Sequence, residues 1–149
     1  CFLLERGLKT IGLRVPHHNA SAMRVAEFLS AHPMVEKVNY PGLPDHPQHD
    51  RAQQLLDGFG GVLSFELRGG AEIADQFLGA LKLPAVAVSL GGAESLIVRP
   101  ATAVHAGLSP QERIETGITD RLIRFSVGLE ETNDLLADFE TALQAAEPG

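Results

Sequence analysis

The chain has 149 residues, a length typical of a single domain. Its 44% hydrophobic and 21% charged residues lie near the globular average, which argues against disorder, collagen-like repeats and a coiled coil. Twelve lysines and arginines against nineteen aspartates and glutamates give a net charge of −7. Because no basic cluster is longer than two residues, we expect no nucleic-acid partner.

The lack of a targeting signal and the presence of a single cysteine favour an intracellular protein. No apolar run approaches the roughly 18 residues of a membrane span, and the N-terminus lacks a signal-peptide pattern. Cys1 is the only cysteine, so an internal disulfide is impossible, as suits a reducing compartment. We expect a soluble, cytoplasmic protein with no membrane partner.

The N-terminal segment predicts a long helical element with a kink. Residues 1–15 have apolar side chains at helical spacing, and Pro16 predicts an interruption. Asn19 and Ser21 are candidate caps for a second helix that stops at His32-Pro33. The chain starts without Met or a capping residue, which predicts a fragment or one domain of a longer polypeptide.

Strands and helices then alternate. A short strand over 35–40 is followed by a short helix around 48–56. Residues 62–67 alternate between apolar and polar side chains, which predicts a half-buried strand, and residues 72–81 carry one apolar helical face. Extended segments are expected near 85–89 and 95–99, separated by Gly91-Gly92.

The C-terminal third carries the sharpest local signal. Ser109, Pro110 and Glu112 form a capping-box pattern, which predicts a helix that ends at Gly117. A strand over 122–127 and a helix over 133–145 complete the chain. The whole pattern predicts an α/β fold, a small two-layer sandwich of a four- to five-stranded sheet with helices, in one compact domain over 1–149.

Arg124 is the first candidate functional residue. In the strand 122–127 it shares a face with Leu122 and Ser126, near the middle of an otherwise apolar segment. An unpaired guanidinium there is costly, and its planar fork suits a carboxylate. Spacing alone leaves open, and even favours, an internal Asp or Glu partner or a solvated face.

A second candidate is the turn that follows the strand near 85–89. Ser89 ahead of Gly91-Gly92 places a hydroxyl where the backbone can approach a ligand closely. The pattern is weak, because any turn at a strand end has a similar composition, and it matches no nucleotide-binding fingerprint.

The histidines do not form a convincing site. His46 and His49, or His17 and His18, could bind a metal, but no third ligand stands at metal-binding spacing, so we expect no metal. His105 is a better cleft candidate, although a lone loop histidine is more often a surface or capping group.

Five segments together resemble the C-terminal domain of the Cys/Met-metabolism pyridoxal-phosphate enzymes, over essentially the whole chain. This family includes cystathionine γ-synthase, cystathionine γ-lyase, methionine γ-lyase and O-acylhomoserine sulfhydrylase. The segments, in chain order, are RGLKT, VEKVNYPGLPDHPQH, VSLGGAESLIVRPAT, VHAGLSPQERIETGI and LIRFSVGLEETNDLLADFETAL.

The resemblance implies a small α/β domain of a fold-type I pyridoxal-phosphate enzyme, packed on a large cofactor-binding domain that this sequence lacks. It also implies a homodimer or homotetramer and an amino-acid substrate, with γ-elimination or γ-replacement in transsulfuration. Arg124 matches the arginine that grips the substrate α-carboxylate, and Ser89 matches a serine that assists it. Val88 differs from a glutamate of cystathionine-handling members, which favours a γ-lyase or sulfhydrylase.

The chemistry of the family that the chain resembles also needs a lysine that forms a Schiff base with the cofactor. The lysines here are Lys9, Lys37 and Lys82, and none stands in a matching context. We therefore expect no catalytic and no cofactor-binding residue in this chain, and an inactive isolated chain. A non-catalytic binding or oligomerisation module on the same scaffold is the alternative.

Overall fold

The structure is a computed structural model that describes residues 1–147. Within this range the chain forms helices and strands in the order α1 Phe2–Leu8, α2 Ile11–Ala31, β1 Val35–Asn39, α3 His49–Leu55, β2 Val62–Leu67, α4 Ala71–Ala80, β3 Ala85–Val86, β4 Leu96–Val98, a 3-10 helix Pro100–Thr102, α5 Pro110–Glu115, β5 Leu122–Ser126 and α6 Thr132–Ala145.

The strands form one five-stranded sheet in the order β1-β2-β5-β4-β3. β1, β2, β5 and β4 pair antiparallel in turn, and only the short edge strand β3 runs parallel to its neighbour β4. Strand β5 is therefore the central strand. The α/β two-layer fold predicted from the sequence is confirmed.

One face of the sheet packs against helices α2, α4 and α6. Alternate strand residues point into this layer, which agrees with the faces predicted from the period of two. The core side chains with no more than 2% exposure include Leu29 from α2, Leu63 and Phe65 from β2, Phe77 from α4, Ile123 and Phe125 from β5, and Phe139 from α6. The rings of Phe125 and Phe139 lie 4.9 Å apart, which joins the central strand to the last helix.

The opposite face of the sheet carries polar residues. The register places Ser64 and Val98 beside Arg124, on either side of β5. At one edge of this face Arg121 donates from Nε to the carboxylate of Glu66 at 2.9 Å and from Nη2 to Glu36 at 2.7 Å. The Arg121 guanidinium lowers the pKa of Glu36.

The first helical break lies earlier than expected. The sequence predicts an interruption at Pro16, but α2 continues through this residue and the break falls at Lys9 and Thr10. Pro16 lies in the second turn of α2. Gly12, the residue four positions earlier, is exposed, so water can replace the hydrogen bond that proline cannot donate to its carbonyl.

Asn19 and Ser21 are not helix caps, which corrects that prediction. Both lie inside α2 and make tertiary contacts instead: Asn19 Oδ1 accepts from the Gly60 amide at 2.8 Å, and Ser21 Oγ lies 2.8 Å from Thr132 Oγ1. The two side chains therefore hydrogen-bond to distant residues, and not to the backbone of their own helix as a capping role requires.

The other predicted helices and strands are present, although for most of them the first or last residue differs from the predicted one. Ser109 and Glu112 form the predicted capping box at the start of α5, with the Ser109 amide 2.8 Å from Glu112 Oε2. Strand β3 is only two residues long, whereas the sequence predicts a strand near 85–89. Among residues 1–147, no helix is long and apolar enough to cross a membrane.

Gly128 follows β5 at a point where no side chain fits. A Cβ there would lie 2.4 Å from both the Ala93 carbonyl oxygen and the Ser95 backbone nitrogen. We expect Gly128→Ala to lower the free energy of unfolding by about 1–3 kcal/mol, because backbone atoms cannot give way. Urea unfolding of the chain measures this effect.

The matched control is Gly79→Ala in helix α4, where a Cβ would meet no atom within 4 Å. This change is expected to raise the free energy of unfolding by roughly 0.5–1 kcal/mol through helix propensity. Equal stability of the two variants would contradict the steric account of Gly128.

Candidate functional site

Arg124 lies at the centre of the polar face of the sheet, on strand β5. Its Nη2 donates to the backbone carbonyl of Ser89 at 2.7 Å, while its Nε is buried without a hydrogen-bond partner among residues 1–147. In the same range no aspartate or glutamate forms an ion pair with Arg124. The internal carboxylate partner that the sequence left open is therefore not found in the described chain.

Ser89 approaches Arg124 through its backbone. The residue has a φ of +107°, and in the described chain no other non-glycine residue has a positive φ. Such a conformation costs of the order of 1–3 kcal/mol, and it occurs preferentially at binding and active sites. The structure thus brings the two predicted site residues together, with the carbonyl rather than the hydroxyl of Ser89 in contact with the guanidinium.

The turn after Ser89 is held from two sides. Helix α2 supplies Arg14, whose Nε donates to the Gly91 carbonyl at 3.2 Å, and His18, whose Nε2–H donates to the Gly92 carbonyl at 3.1 Å. From β5, Ser126 Oγ accepts from the Gly91 amide at 3.2 Å. Three side chains from two elements thus fix the two glycines.

The segment beyond the turn is bonded to the end of β5. Both the amide and the hydroxyl of Ser95 donate to the Glu130 carboxylate at 2.7 Å. The Gly128 amide donates to Ser95 Oγ at 2.8 Å, and the Leu129 amide donates to the Ala93 carbonyl at 2.7 Å. Gly91, Gly92, Ala93 and Ser95 are therefore each held by at least one hydrogen bond to α2, to β5 or to the residues that follow β5.

Of the other histidines that the sequence singled out, His46 and His49 hydrogen-bond to the nearby backbone, whereas His17 Nε2 lies 3.3 Å from the distant Glu130 carbonyl oxygen. His46 Nδ1 accepts from the Gln48 amide at 3.2 Å, and His49 Nδ1–H donates to the Pro41 carbonyl at 2.8 Å. His105 Nδ1 is buried without a partner among residues 1–147. No group of three or more potential metal ligands occurs within the same residues.

Comparison with known proteins assigns the family. Residues 1–144 match the family described as Cys/Met metabolism PLP-dependent enzyme. The chain belongs to this family. A cystathionine gamma-lyase from Sus scrofa is 49% identical over 99% of the chain, and an L-methionine gamma-lyase from Pseudomonas putida is 48% identical over 97%.

The fold comparison agrees. The crystal structure of a cystathionine gamma-lyase from Micromonospora echinospora superposes with a TM-score of 0.91 at 43% identity, over 97% of this chain. The present chain covers 38% of that structure and 36% of the Sus scrofa and Pseudomonas putida relatives. It therefore spans little more than a third of the length of these family members. The family is one of enzymes that depend on pyridoxal phosphate.

The residues described here do not fit a pyridoxal-phosphate site on their own. Covalent attachment of this cofactor requires a lysine. Lys9, Lys37 and Lys82 are all solvent-exposed, at the end of α1, on the edge strand β1 and just after α4. Arg124 and Ser89 lie on other elements, β5 and the turn beyond β3.

Three residues around the turn were missed by the reasoning from sequence. Arg14 and His18 are one helical turn apart, so they lie on the same face of α2, and Ser126 shares the face of Arg124. One sequence feature could have indicated two of them: Arg14 and His18 are polar residues four positions apart in a helix that buries apolar residues. His18 was weighed there only as a metal ligand.

Burial gives His18 a pH-dependent contribution to stability. Its pKa is lowered chiefly by burial, opposed by the hydrogen bond to Gly92; nearby His17 and Arg14 lower it further, and Glu130 raises it. The unfolded chain takes up a proton at the ordinary histidine pKa of about 6.5, before the folded chain does. Stability is therefore expected to fall as the pH drops below that value towards the lowered pKa.

Replacement of His18 by Gln should make the melting temperature less dependent on pH within this window. Thermal unfolding of both proteins between about pH 5 and pH 7 measures the difference. Parallel curves for the two proteins would show that His18 does not titrate as its burial requires.

Proposed function

We propose that this chain is the C-terminal domain of a pyridoxal-phosphate enzyme of sulfur amino-acid metabolism, and that Arg124 binds the α-carboxylate of the substrate. The proposed reactions are γ-elimination or γ-replacement on homoserine esters, cystathionine or methionine. The single observation that carries the proposal is an Arg124 guanidinium without a carboxylate partner among residues 1–147, fixed against the Ser89 carbonyl.

The physical argument starts from the charge. A guanidinium without an anion at the centre of a sheet loses hydration and gains no ion pair, which is unfavourable. Arg121, at the start of β5, shows the alternative, because it is paired with Glu36 and Glu66. Arg124 lacks such a pair within the described chain, so an anionic ligand supplies the missing interaction.

The geometry suits a carboxylate. A single contact from Nη2 to the Ser89 carbonyl leaves most of the five N–H donors of the Arg124 guanidinium free. Two parallel hydrogen bonds from the fork would fix both oxygens of the carboxylate and thus the orientation of the adjacent Cα–H bond. Orientation of the substrate is the contribution we assign to this domain.

The proposed partner is a large cofactor-binding domain with the missing lysine. Support comes from the N-terminal helices, where apolar side chains meet solvent: Phe2 is 73% exposed, Leu3 79% and Leu13 78%. Exposed apolar stripes of this kind mark surfaces that pack against another body. We place the complete protein in the cytoplasm as a homodimer or homotetramer.

Substitution of Arg124 tests the site in the complete enzyme. Arg124→Lys keeps the charge but loses the fork, and is expected to reduce kcat/KM by roughly 10- to 1000-fold, mainly through weaker amino-acid binding. Arg124→Ala should be worse. Steady-state kinetics and equilibrium binding of an unreactive amino acid measure both effects.

The matched control is Arg121→Lys, directly before the same strand. Arg121 holds Glu36 and Glu66, so its substitution should lower the melting temperature and leave amino-acid affinity near that of the parent. If the Arg124 variants instead lost stability while affinity stayed unchanged, Arg124 would have a structural role and the carboxylate assignment would fail.

The isolated chain tests the division of labour between the two domains. After incubation with pyridoxal phosphate, borohydride reduction and digestion, we expect only scattered, partial labelling of the exposed lysines Lys9, Lys37 and Lys82. One stoichiometrically labelled lysine peptide would show instead that this chain holds the cofactor itself.

A further inference from the structure

The turn formed by Gly91 and Gly92 is held by side chains that lie outside the proposed carboxylate site. Arg14 and His18 reach it from helix α2, and both donate to backbone carbonyls. Ser126 accepts from the Gly91 amide on the opposite side. These three contacts occupy the amide of Gly91 and the carbonyls of both glycines.

The strained residue Ser89 lies between two anchors. On one side, strand pairing ends where the Ala87 amide donates to the Ile97 carbonyl at 3.1 Å. On the other side, the first anchored residue is Gly91. Between them Ser89 is exposed, with a φ of +107°, so its conformation depends on how well the flanking residues are fixed.

His18 is buried, and its surroundings leave room for the imidazole to contact the turn. It is 4% exposed, and it packs against Gly61, where a Cβ would lie 2.7 Å from the Cβ of His18. The absence of a side chain at Gly61 is therefore what lets the imidazole reach the turn. Arg14 lies one turn earlier on the same helix face, so one element delivers both donors.

We propose that Arg14 and His18 are positioning residues: they fix the Gly91-Gly92 turn and thereby hold the Ser89 carbonyl against Arg124, which orients the guanidinium for the substrate carboxylate. This inference rests on the proposed function. It assigns to helix α2 a role in substrate binding although neither residue touches the substrate.

The experiment uses the complete, cofactor-loaded enzyme and two replacements that remove a donor, His18→Met and Arg14→Met. His18→Gln is the conservative variant, since its amide nitrogen can occupy the place of Nε2. Arg24→Met is the matched control on the same helix, because Arg24 donates to Asn133 at the surface.

The first measurement is amide hydrogen exchange of peptides that span residues 87–95. Loss of one hydrogen bond should accelerate exchange there by roughly 2- to 10-fold in His18→Met, and by at least as much in Arg14→Met, whose lost donor is charged. His18→Gln and Arg24→Met should exchange like the parent. Unchanged exchange in both donor-removing variants overturns the proposal, whatever happens to binding.

The second measurement compares two probes, L-norleucine and n-pentylamine, which differ by the carboxylate. We expect His18→Met and Arg14→Met to weaken L-norleucine binding by roughly 2- to 10-fold and to leave n-pentylamine binding unchanged. An equal loss for both probes would indicate a general structural defect and overturn the positioning role.

Arg124→Lys, tested in parallel, separates this inference from the proposed function. If Arg124→Lys leaves the preference for L-norleucine over n-pentylamine intact, the carboxylate assignment itself is wrong. If Arg124→Lys reduces that preference but the α2 variants keep it, only the positioning role fails.

Discussion

Arg124 projects from the central strand of the sheet with a charge that no carboxylate of the described chain neutralises. The surrounding structure keeps this charge available and fixed. The apolar neighbours Ile123 and Phe125 are buried in the core, so core packing holds the backbone beneath the guanidinium. Since proximity contributes to catalysis only when geometry is held closely, a well-packed strand suits the carboxylate-binding role that we propose for Arg124.

The two faces of the sheet serve different purposes. The helix-covered face supplies stability through apolar burial, with Phe65, Phe77 and Phe139 in mutual contact. The opposite face carries the polar groups, and its edge is closed by the Arg121 ion pairs with Glu36 and Glu66. Helix α2 takes part in both, because it buries Leu29 in the core and directs His18 to the turn beside Ser89.

Sequence patterns predicted what local physics determines. The period of two in β2 and β5, and the Ser109–Glu112 capping box, depend on near neighbours and were confirmed. The predicted roles of Asn19 and Ser21 were wrong, because their partners Gly60 and Thr132 are distant in the sequence. The positive φ of Ser89 likewise has no local signal, since glycine is the residue expected in that conformation.

The contact between Ser89 and Arg124 depends on residues other than these two. It uses the backbone carbonyl of Ser89, so its direction is set by the path of the chain and not by the hydroxyl. In the positioning role that we propose, that path depends on the bonds of Arg14, His18 and Ser126 to Gly91 and Gly92, and none of these three side chains is adjacent to Ser89 in the sequence. The determinants of the proposed carboxylate site are therefore spread over helix α2 and strand β5, where a search for catalytic motifs does not find them.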